Sequence, residues 1–195
     1  MHSPAHAVVS SIAVTLPEWT RAFLAAQPDC HSDAERMALA IRLAQENVAR
    51  GSGGPFGAAV FAHGAPRPLA VGVNSVERLG NAMLHAEVVA LMLAEARLGS
   101  YTLGAPGLPA CELFTSCAPC AMCLGAALWS GVRRIVCAAK REDATELGFD
   151  EGPVFPASYR YLEAQGIAIE HGLGAAEARE VMQRYRERNG LVYNG

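Results

Sequence analysis

Apolar residues recur along this chain at two spacings, one typical of helices and one typical of buried strands. Residues 33–50 (DAERMALAIRLAQENVAR) have the spacing of an amphipathic helix, with Ser32 or Asp33 as its cap and Gly51 at its end. Short continuous apolar runs between glycine, proline and asparagine residues instead predict buried strands. The predicted strands cover residues 56–62, 69–74, 110–115, 134–139 and 167–170. The predicted helices cover residues 33–50, 85–98, 119–131, 142–147, a segment that follows residue 156, and 175–189.

Strands that alternate with helices predict an α/β fold, here a three-layer α/β/α sandwich around a mixed five-stranded sheet. The length of 195 residues suits one domain with a substantial core. We therefore expect a single domain over residues 1–195. About residues 1–32 would form an N-terminal extension, and about residues 174–195 a C-terminal helix and tail.

Composition and charge narrow the range of partners. Hydrophobic residues make up 51% of the chain and charged residues 18%, yet no apolar run reaches the length of about 18 residues that a membrane span needs. The net charge is −3, and glutamates interrupt the densest basic stretch at residues 179–188, so we expect no nucleic-acid partner. The first residues lack the basic region of a signal peptide, and the six cysteines favour free thiols and metal ligation. The expected compartment is the cytoplasm.

The residues that carry chemistry stand at two predicted helix starts. His85 and Glu87 belong to the first, and the run PCAMC at residues 119–123 belongs to the second. One histidine and two cysteines, Cys120 and Cys123, form the ligand set of an open catalytic zinc site, whose fourth position remains for water. The glutamate two residues after the histidine is placed to move protons. The pattern H-x-E…P-C-x-x-C is typical of zinc-dependent nucleobase deaminases, so we predict Zn²⁺ as the cofactor.

Two other interpretations of the cysteines remain at this point. Cys120 and Cys123 could form a redox dithiol, but that would leave the histidine and glutamate unexplained. A closed structural zinc site would need a fourth ligand, for which Cys111, Cys117 and Cys137 are available. Cys111 and Cys137 fall in apolar runs, as small buried residues do, which favours the open site.

These residues, with the predicted order of elements, resemble the cytidine deaminase superfamily over about residues 53–153 and more loosely to the C-terminus. Within it the chain is most similar to the guanine deaminase branch. The resemblance implies zinc, a free base such as guanine or the aminotriazine ammeline, and a homodimer whose C-terminal segment reaches the partner's active site. One departure is Ala118, where the family often has an acidic residue. The motifs that carry the similarity are G-G-P-F-G-A at residues 53–58, Asn74, T-S-x-x-P-C-x-M-C at 115–123, G-F-D-E-G-P at 148–153 and N-G-x-x-Y-N at 189–194.

The resemblance also implies roles for single residues. Glu87 would be the catalytic proton carrier, although a glutamate in a first helical turn is also favoured by the helix dipole alone. Glu151 would be a second catalytic carboxylate, and Asp150 is its nearest competitor. Both follow Gly-Phe in the run GFDEGP.

Four further positions are expected to bind the substrate. Asn74 offers a donor and an acceptor for a purine edge, though it could be a plain turn residue. Phe56 could stack on the base or belong to the core, and Ala86 lies between the metal ligand and the proton carrier. Tyr193 lies in the tail at residues 191–195 and would cover the substrate pocket. In a dimer, the covered pocket would be that of the partner subunit. Alternatively, the tail packs on its own subunit. Trp129 is expected to pack.

The predicted function is the zinc-dependent hydrolytic deamination of guanine to xanthine and ammonia, with ammeline as a further substrate. Within the same class, guanosine or another amino-heterocycle is an alternative. A tRNA adenosine deaminase shares the metal motif, but the chain lacks a basic tail and has the Gly-Phe-Asp-Glu run. A catalytically silent, zinc-stabilised subunit is disfavoured because it would have no need of Glu87.

Overall fold

The computed structural model describes residues 9–194, so residues 1–8 of the expected extension and Gly195 lie outside the described part. Its centre is a five-stranded mixed sheet with the strand order β2-β1-β3-β4-β5. Strand β1 runs antiparallel to both β2 and β3, whereas β3, β4 and β5 are parallel. The strands are β1 (Gly57–Ala62), β2 (Ala70–Val73), β3 (Cys111–Cys117), β4 (Arg134–Ala139) and β5 (Ala168–His171). The predicted mixed sheet is confirmed.

Helices cover both faces of this sheet. The core on one face is built with α2 and α8, and the core on the other face with α4, α5 and α7. Phe114 in β3 lies between Ala59 of β1 and Val136 of β4, at the centre of the sheet. The predicted three-layer sandwich is therefore confirmed. The helices are α1 (Trp19–Ala25), α2 (Asp33–Ala49), α3 (Val76–Leu79), α4 (Ala86–Leu98), α5 (Ala121–Ser130), α6 (Arg141–Thr145), α7 (Pro156–Ala164) and α8 (Ala175–Glu187).

Helix α2 begins where its sequence allows the first backbone groups to be paired. The Ser32 hydroxyl accepts a hydrogen bond from the Glu35 N–H at 3.3 Å, and the Glu35 carboxylate accepts one from the Ser32 N–H at 2.9 Å. This capping box satisfies donors that a helix start otherwise leaves free. Of the two caps that the sequence allows, Ser32 is therefore the one used.

Two short helices, α1 and α3, are absent from the prediction. Helix α1 has seven residues and no side-chain cap, so its sequence carries little helical signal. Tertiary contacts hold it instead: Trp19 and Phe23 pack against the core, and the indole N–H of Trp19 donates to the Ser52 hydroxyl at 3.0 Å. The expected extension thus contains a helix that is part of the packed domain.

Two expectations around α5 were wrong. Pro119 was expected at the helix start, but the helix begins at Ala121 with Cys120 as its cap, so the proline precedes the cap. Trp129 was expected to pack, but it is 80% exposed in this chain. The reason is geometric, since Leu124 and Ala127 occupy the face of α5 that meets the sheet and Trp129 lies on the outer face.

No helix among residues 9–194 combines the length and the apolar character that crossing a membrane requires.

Candidate active site

The three predicted metal ligands stand at the starts of two neighbouring helices. His85 is the cap of α4, Cys120 is the cap of α5, and Cys123 lies in the first turn of α5. Helix α4 sits very close to the sheet because Gly72 of β2 has no side chain. A Cβ at Gly72 would lie 2.0 Å from the Ala86 carbonyl oxygen, so this close approach sets the position of His85.

The ligand atoms have the separations that a tetrahedral metal requires. His85 Nδ1 lies 3.5 Å from Cys120 Sγ and 3.7 Å from Cys123 Sγ, and all three atoms are within 4.8 Å of one another. Two ligands at Zn–N and Zn–S bond lengths on a tetrahedron are about 3.6 Å apart. The donor set and its spacing therefore fit zinc. Cys111 and Cys137 are buried in the core, and Cys117 is not among the described residues whose ligand atoms converge, so none of the three completes a closed four-ligand site.

The three ligands differ in how readily they lose a proton. Hydrogen bonds from Cys123 and His85 lower the pKa of the Cys120 thiol to about 4. Burial opposes the charged form of His85, but its hydrogen bond with Cys120 outweighs this and raises the His85 pKa. The hydrogen bond with the Cys120 thiolate holds the pKa of Cys123 well above its usual value. One thiolate is thus preformed, and the metal must displace the proton of the second.

Glu87 lies in the first turn of α4, beside the ligands. Its side chain is buried, and its Oε1 accepts a hydrogen bond from the Thr115 hydroxyl at 2.8 Å. Its Oε2 is 3.5 Å from Cys123 Sγ. Burial, with the nearby Cys120 thiolate, raises the pKa of the Glu87 carboxyl. A carboxyl in such surroundings exchanges protons more readily near neutral pH than an exposed one.

Glu151 approaches the same place from the loop between α6 and α7. Its carbonyl oxygen accepts a hydrogen bond from the Ala121 N–H at 3.0 Å, which ties this loop to the start of α5. Burial, together with the charges of Cys120 and Glu87, raises the pKa of Glu151 to about 8. Asp150 is exposed, and its Oδ1 accepts a hydrogen bond from the Gly152 N–H at 2.8 Å. Of the two adjacent carboxylates, only Glu151 lines the cavity beside the ligands.

This cavity is small because the C-terminal tail closes it. Its free volume is about 20 Å³, which is room for about one water molecule. Tyr193 packs against Phe149 and His85, with ring centroids 5.0 and 6.2 Å away. The tail that covers this site belongs to the same chain. The lining residues are Phe56, His85, Glu87, Cys117, Ala118, Cys120, Phe149, Glu151, Tyr193 and Asn194.

Asn74 lies at the end of β2, fully buried behind this lining. Its carbonyl oxygen accepts a hydrogen bond at 3.0 Å from the side chain of Asn47, which also donates to the Gly54 carbonyl oxygen at 2.9 Å. Among the residues described, Asn74 Nδ2 has no hydrogen-bond partner. A buried amide without a partner costs free energy, so such a group is a candidate for ligand recognition.

The structure thus brings most predicted site residues together and leaves two aside. Ala86 has its side chain in the core against the sheet, and neither Ala86 nor Asn74 lines the cavity. Prediction from the sequence missed Phe149, which lines the cavity and packs edge-on against Phe56 at 5.2 Å. It also missed the contact of Thr115 with Glu87. Both residues fall inside motifs that resemble the guanine deaminase branch, which was the available signal.

The fold and this ligand set define a zinc-dependent aminohydrolase of the cytidine deaminase type. The chain belongs to the family described as the cytidine and deoxycytidylate deaminase zinc-binding region, whose pattern matches residues 30–139. Both the predicted superfamily and the predicted zinc cofactor are confirmed.

Guanine deaminases are prominent among its relatives. Guanine deaminase of Bacillus subtilis (strain 168) is 38% identical over 144 residues, which cover 71% of this chain and 88% of the relative. The solved guanine deaminase of Nitrosomonas europaea is 38% identical with a TM-score of 0.85, over 93% of this chain and 99% of that one. A solved mutant protein with bound 8-azaguanine is 38% identical with a TM-score of 0.87, over 94% of this chain and all of that one. The predicted branch is thus confirmed.

Proposed function

We propose that this protein hydrolyses guanine to xanthine and ammonia. The observation that carries the proposal is the convergence of a His85–Cys120–Cys123 metal site and two buried carboxyl groups on one cavity. The guanine deaminase relatives and the related structure with bound 8-azaguanine support a purine base as the substrate.

Zinc held by His85, Cys120 and Cys123 would supply Lewis-acid activation of water, whose pKa it would lower toward neutrality. Glu87 would accept a proton from water at the carboxylate oxygen that faces the metal ligands. It would then deliver that proton to the ring nitrogen beside the carbon under attack. Burial raises the pKa of the Glu87 carboxyl, which suits a group that must both accept and deliver a proton.

Glu151 handles the proton of the leaving amine. Its pKa of about 8 means that the carboxyl group is largely protonated at neutral pH, which is the form that can donate. Glu87 and Glu151 line the cavity from different elements, helix α4 and the loop between α6 and α7, so the two groups can serve different nitrogens of the base. Asp150 takes no part, since its carboxylate is exposed and bonded to the next turn.

The base is held by an amide and by aromatic rings. Asn74 Nδ2, which has no partner among residues 9–194, would donate to an acceptor on the purine edge once the tail has moved and the base has entered, because Asn74 does not line the closed cavity. Phe56 and Phe149 form an apolar wall of the cavity against which a flat ring can pack. Ala86 stays a predicted contact of the base. Its backbone would make this contact, because its side chain lies in the core. Ammeline, a flat aminotriazine, presents similar edges and is the second candidate substrate.

The tail serves as the lid of the site. With Tyr193 in place the cavity holds about one water molecule, so a purine can enter only when the tail moves. The Tyr193 hydroxyl is buried without a partner within the described part of the chain, which leaves it available to a bound base. Deletion of residues 191–195 is expected to leave a folded, zinc-loaded protein with strongly reduced deamination. Full activity of the truncated protein would exclude the lid.

The working protein is a cytoplasmic homodimer in this proposal. The exposed Trp129 and Met92 on helices α5 and α4 support an interface on that layer, and the free cysteines support a reducing compartment.

A tail that acts across the dimer has a direct test. Mixing the truncated chain with full-length Glu87→Gln chains would then restore activity, because each mixed dimer has one site with both an intact Glu87 and a tail. A tail that acts within its own chain gives no recovery.

One experiment separates guanine from the alternatives. Ammonia release is measured with guanine, ammeline, guanosine, cytosine and a tRNA anticodon stem, alongside the zinc content of the purified protein. We expect about one zinc per chain and the highest kcat/KM with guanine, with both activity and zinc lost in Cys120→Ala. A protein that holds zinc but releases no ammonia from any substrate would support the silent subunit instead. A preference for the tRNA stem would contradict the free-base proposal.

A further inference from the structure

A single hydroxyl stands on the β3 face that meets α4 and α5, where the strand passes the metal site. Thr115 is almost fully buried, and Leu113, two residues earlier on the same face, packs in the apolar core under these helices. The Thr115 hydroxyl donates its hydrogen bond to Glu87 Oε1 at 2.8 Å. A valine would fill the same space, so packing alone does not explain a threonine here.

The hydrogen bond distinguishes the two oxygens of an otherwise symmetric carboxylate. Oε1 is held by the strand, while Oε2 lies on the side of the metal ligands, 3.5 Å from Cys123 Sγ. The Glu87 side chain has several rotatable bonds, and its terminal torsion is broad when nothing restrains it. The strand therefore holds Oε1, and Oε2 is the oxygen that lies on the side where protons would be exchanged.

We propose that Thr115 is a positioning residue that sets the orientation of the Glu87 carboxylate. This inference rests on the proposed role of Glu87 as proton carrier. Among the described residues, the Thr115 hydroxyl bonds to Glu87 and to no metal ligand, and Thr115 does not line the cavity, so it would act on the reaction through Glu87. Its bond also stabilises the ionised carboxylate in a buried place, where an unpaired oxygen would be costly.

The same strand offers a matched control. Ser116 is the next residue and equally buried, but its hydroxyl accepts a hydrogen bond from the Gly57 N–H at 3.0 Å and does not touch Glu87. Ser116→Ala therefore removes a buried hydroxyl from β3 without disturbing the carboxylate. Any loss of turnover that comes from weakening the strand will appear in this variant too.

The test compares Thr115→Val, Thr115→Ser and Ser116→Ala by kcat, KM, zinc content and unfolding midpoint. In Thr115→Val we expect kcat to fall by about 10- to 100-fold. This loss is no larger than the smallest loss that is usual when a general base is removed. KM and zinc content should stay close to those of the wild type, because the ligands and the base-binding side chains are untouched. Thr115→Ser should recover most of the lost kcat, and Ser116→Ala should lose little.

Two further measurements separate positioning from a general structural effect. Adding Thr115→Val to Glu87→Gln should not lower kcat further, since the residue acts only through Glu87. A crystal structure of zinc-loaded Thr115→Val should show the Glu87 carboxylate rotated from its wild-type orientation. Wild-type kcat in Thr115→Val, equal losses in the valine and serine variants, or an unmoved Glu87 would each overturn the proposal. If the wild type deaminates no base, the proposed function fails, while the crystallographic comparison still decides the role of Thr115.

Discussion

Ionisable groups are buried near both ends of strand β3, but only those near its start are paired with opposite charges. At the start of the strand, Glu112 is paired with Arg36 at 3.1 Å and with His63 at 3.0 Å, and Arg134 lies 3.7 Å away. At its far end, Glu87 accepts a bond from a neutral hydroxyl, and no salt bridge among residues 9–194 involves Glu87 or Glu151. We call the first group, Asp33, Arg36, Glu112 and Arg134, the paired cluster.

The difference shows what each end does for the protein. In the paired cluster the charges neutralise one another, and the Arg36 guanidinium also lies over the Phe61 ring at 5.3 Å. These ion pairs hold elements of the fold together. At the metal end, burial and the charge of the Cys120 thiolate raise the pKa values of Glu87 and Glu151, as is common for carboxyl groups at functional sites. Substitutions at the two ends should therefore affect different properties.

The largest effect is expected from Glu87→Gln. Glutamine keeps the size of the side chain but cannot carry the proton, so kcat should fall by about 10²-fold or more. Zinc should stay bound. The unfolding midpoint should not fall, because ionisation of a buried carboxyl with a raised pKa stabilises the unfolded state relative to the folded one, and glutamine removes that effect. Steady-state kinetics, metal analysis and thermal unfolding check this. Loss of zinc from the variant would mean that Glu87 is a ligand or a structural residue.

Glu112→Gln should show the reverse pattern. Removing the carboxylate leaves Arg36 and Arg134 buried with less compensation, and breaking such a pair costs about 3 kcal/mol. The free energy of unfolding in urea should fall by that order, while kcat of the folded protein stays unchanged. His63→Gln is the control, since His63 is largely exposed and its loss should have a small effect. A large fall in kcat at unchanged stability would contradict the proposed difference between the two ends of the strand.

A smaller loss of turnover is expected from Glu151→Gln, about tenfold, because water can partly replace a proton donor to the leaving amine. Asp150→Asn is its matched control. The two residues are adjacent, but only Glu151 faces the cavity. Kinetics with guanine compare the two variants. A greater loss in Asp150→Asn would show that the wrong carboxylate has been assigned.

The smallest effect belongs to Asp33 at the rim of the paired cluster. Its hydrogen bond with Arg134 lowers the Asp33 pKa below the ordinary value of 3.8. Because the folded-state pKa is depressed, the stabilisation is present above the unfolded pKa and is lost as the pH falls through the folded value. Asp33→Asn should therefore be less stable than the wild type by less than about 1 kcal/mol at neutral pH, with no difference at low pH. Urea unfolding at several pH values measures this; a difference that persists in acid would contradict it.

Much of the metal site was predictable because its pattern is local. His85 and Glu87 are two residues apart, Cys120 and Cys123 are three apart, and each pair stands at a helix start that the apolar spacing predicts. The missing pieces were non-local. Thr115 and Glu87 are separated by 28 positions, and Arg36 and Glu112 by 76, so the pairing of side chains depends on strand register and helix packing. Trp129 shows the same limit, since its exposure depends on which face of α5 meets the sheet.

By itself, the sequence determined the alternation of strands and helices, the three-layer fold, the metal ligands and the glutamate beside them. These depend on hydrophobic periodicity and on spacings of a few residues, which the local backbone geometry converts directly into positions. Only the tertiary structure decided that Glu151 rather than Asp150 enters the cavity, that Phe149 lines it and that Tyr193 closes it. It alone also showed that Thr115 holds one oxygen of Glu87. The physical reason is that burial and hydrogen-bond partners arise when segments distant along the chain pack together, and no local pattern records which side chains then meet.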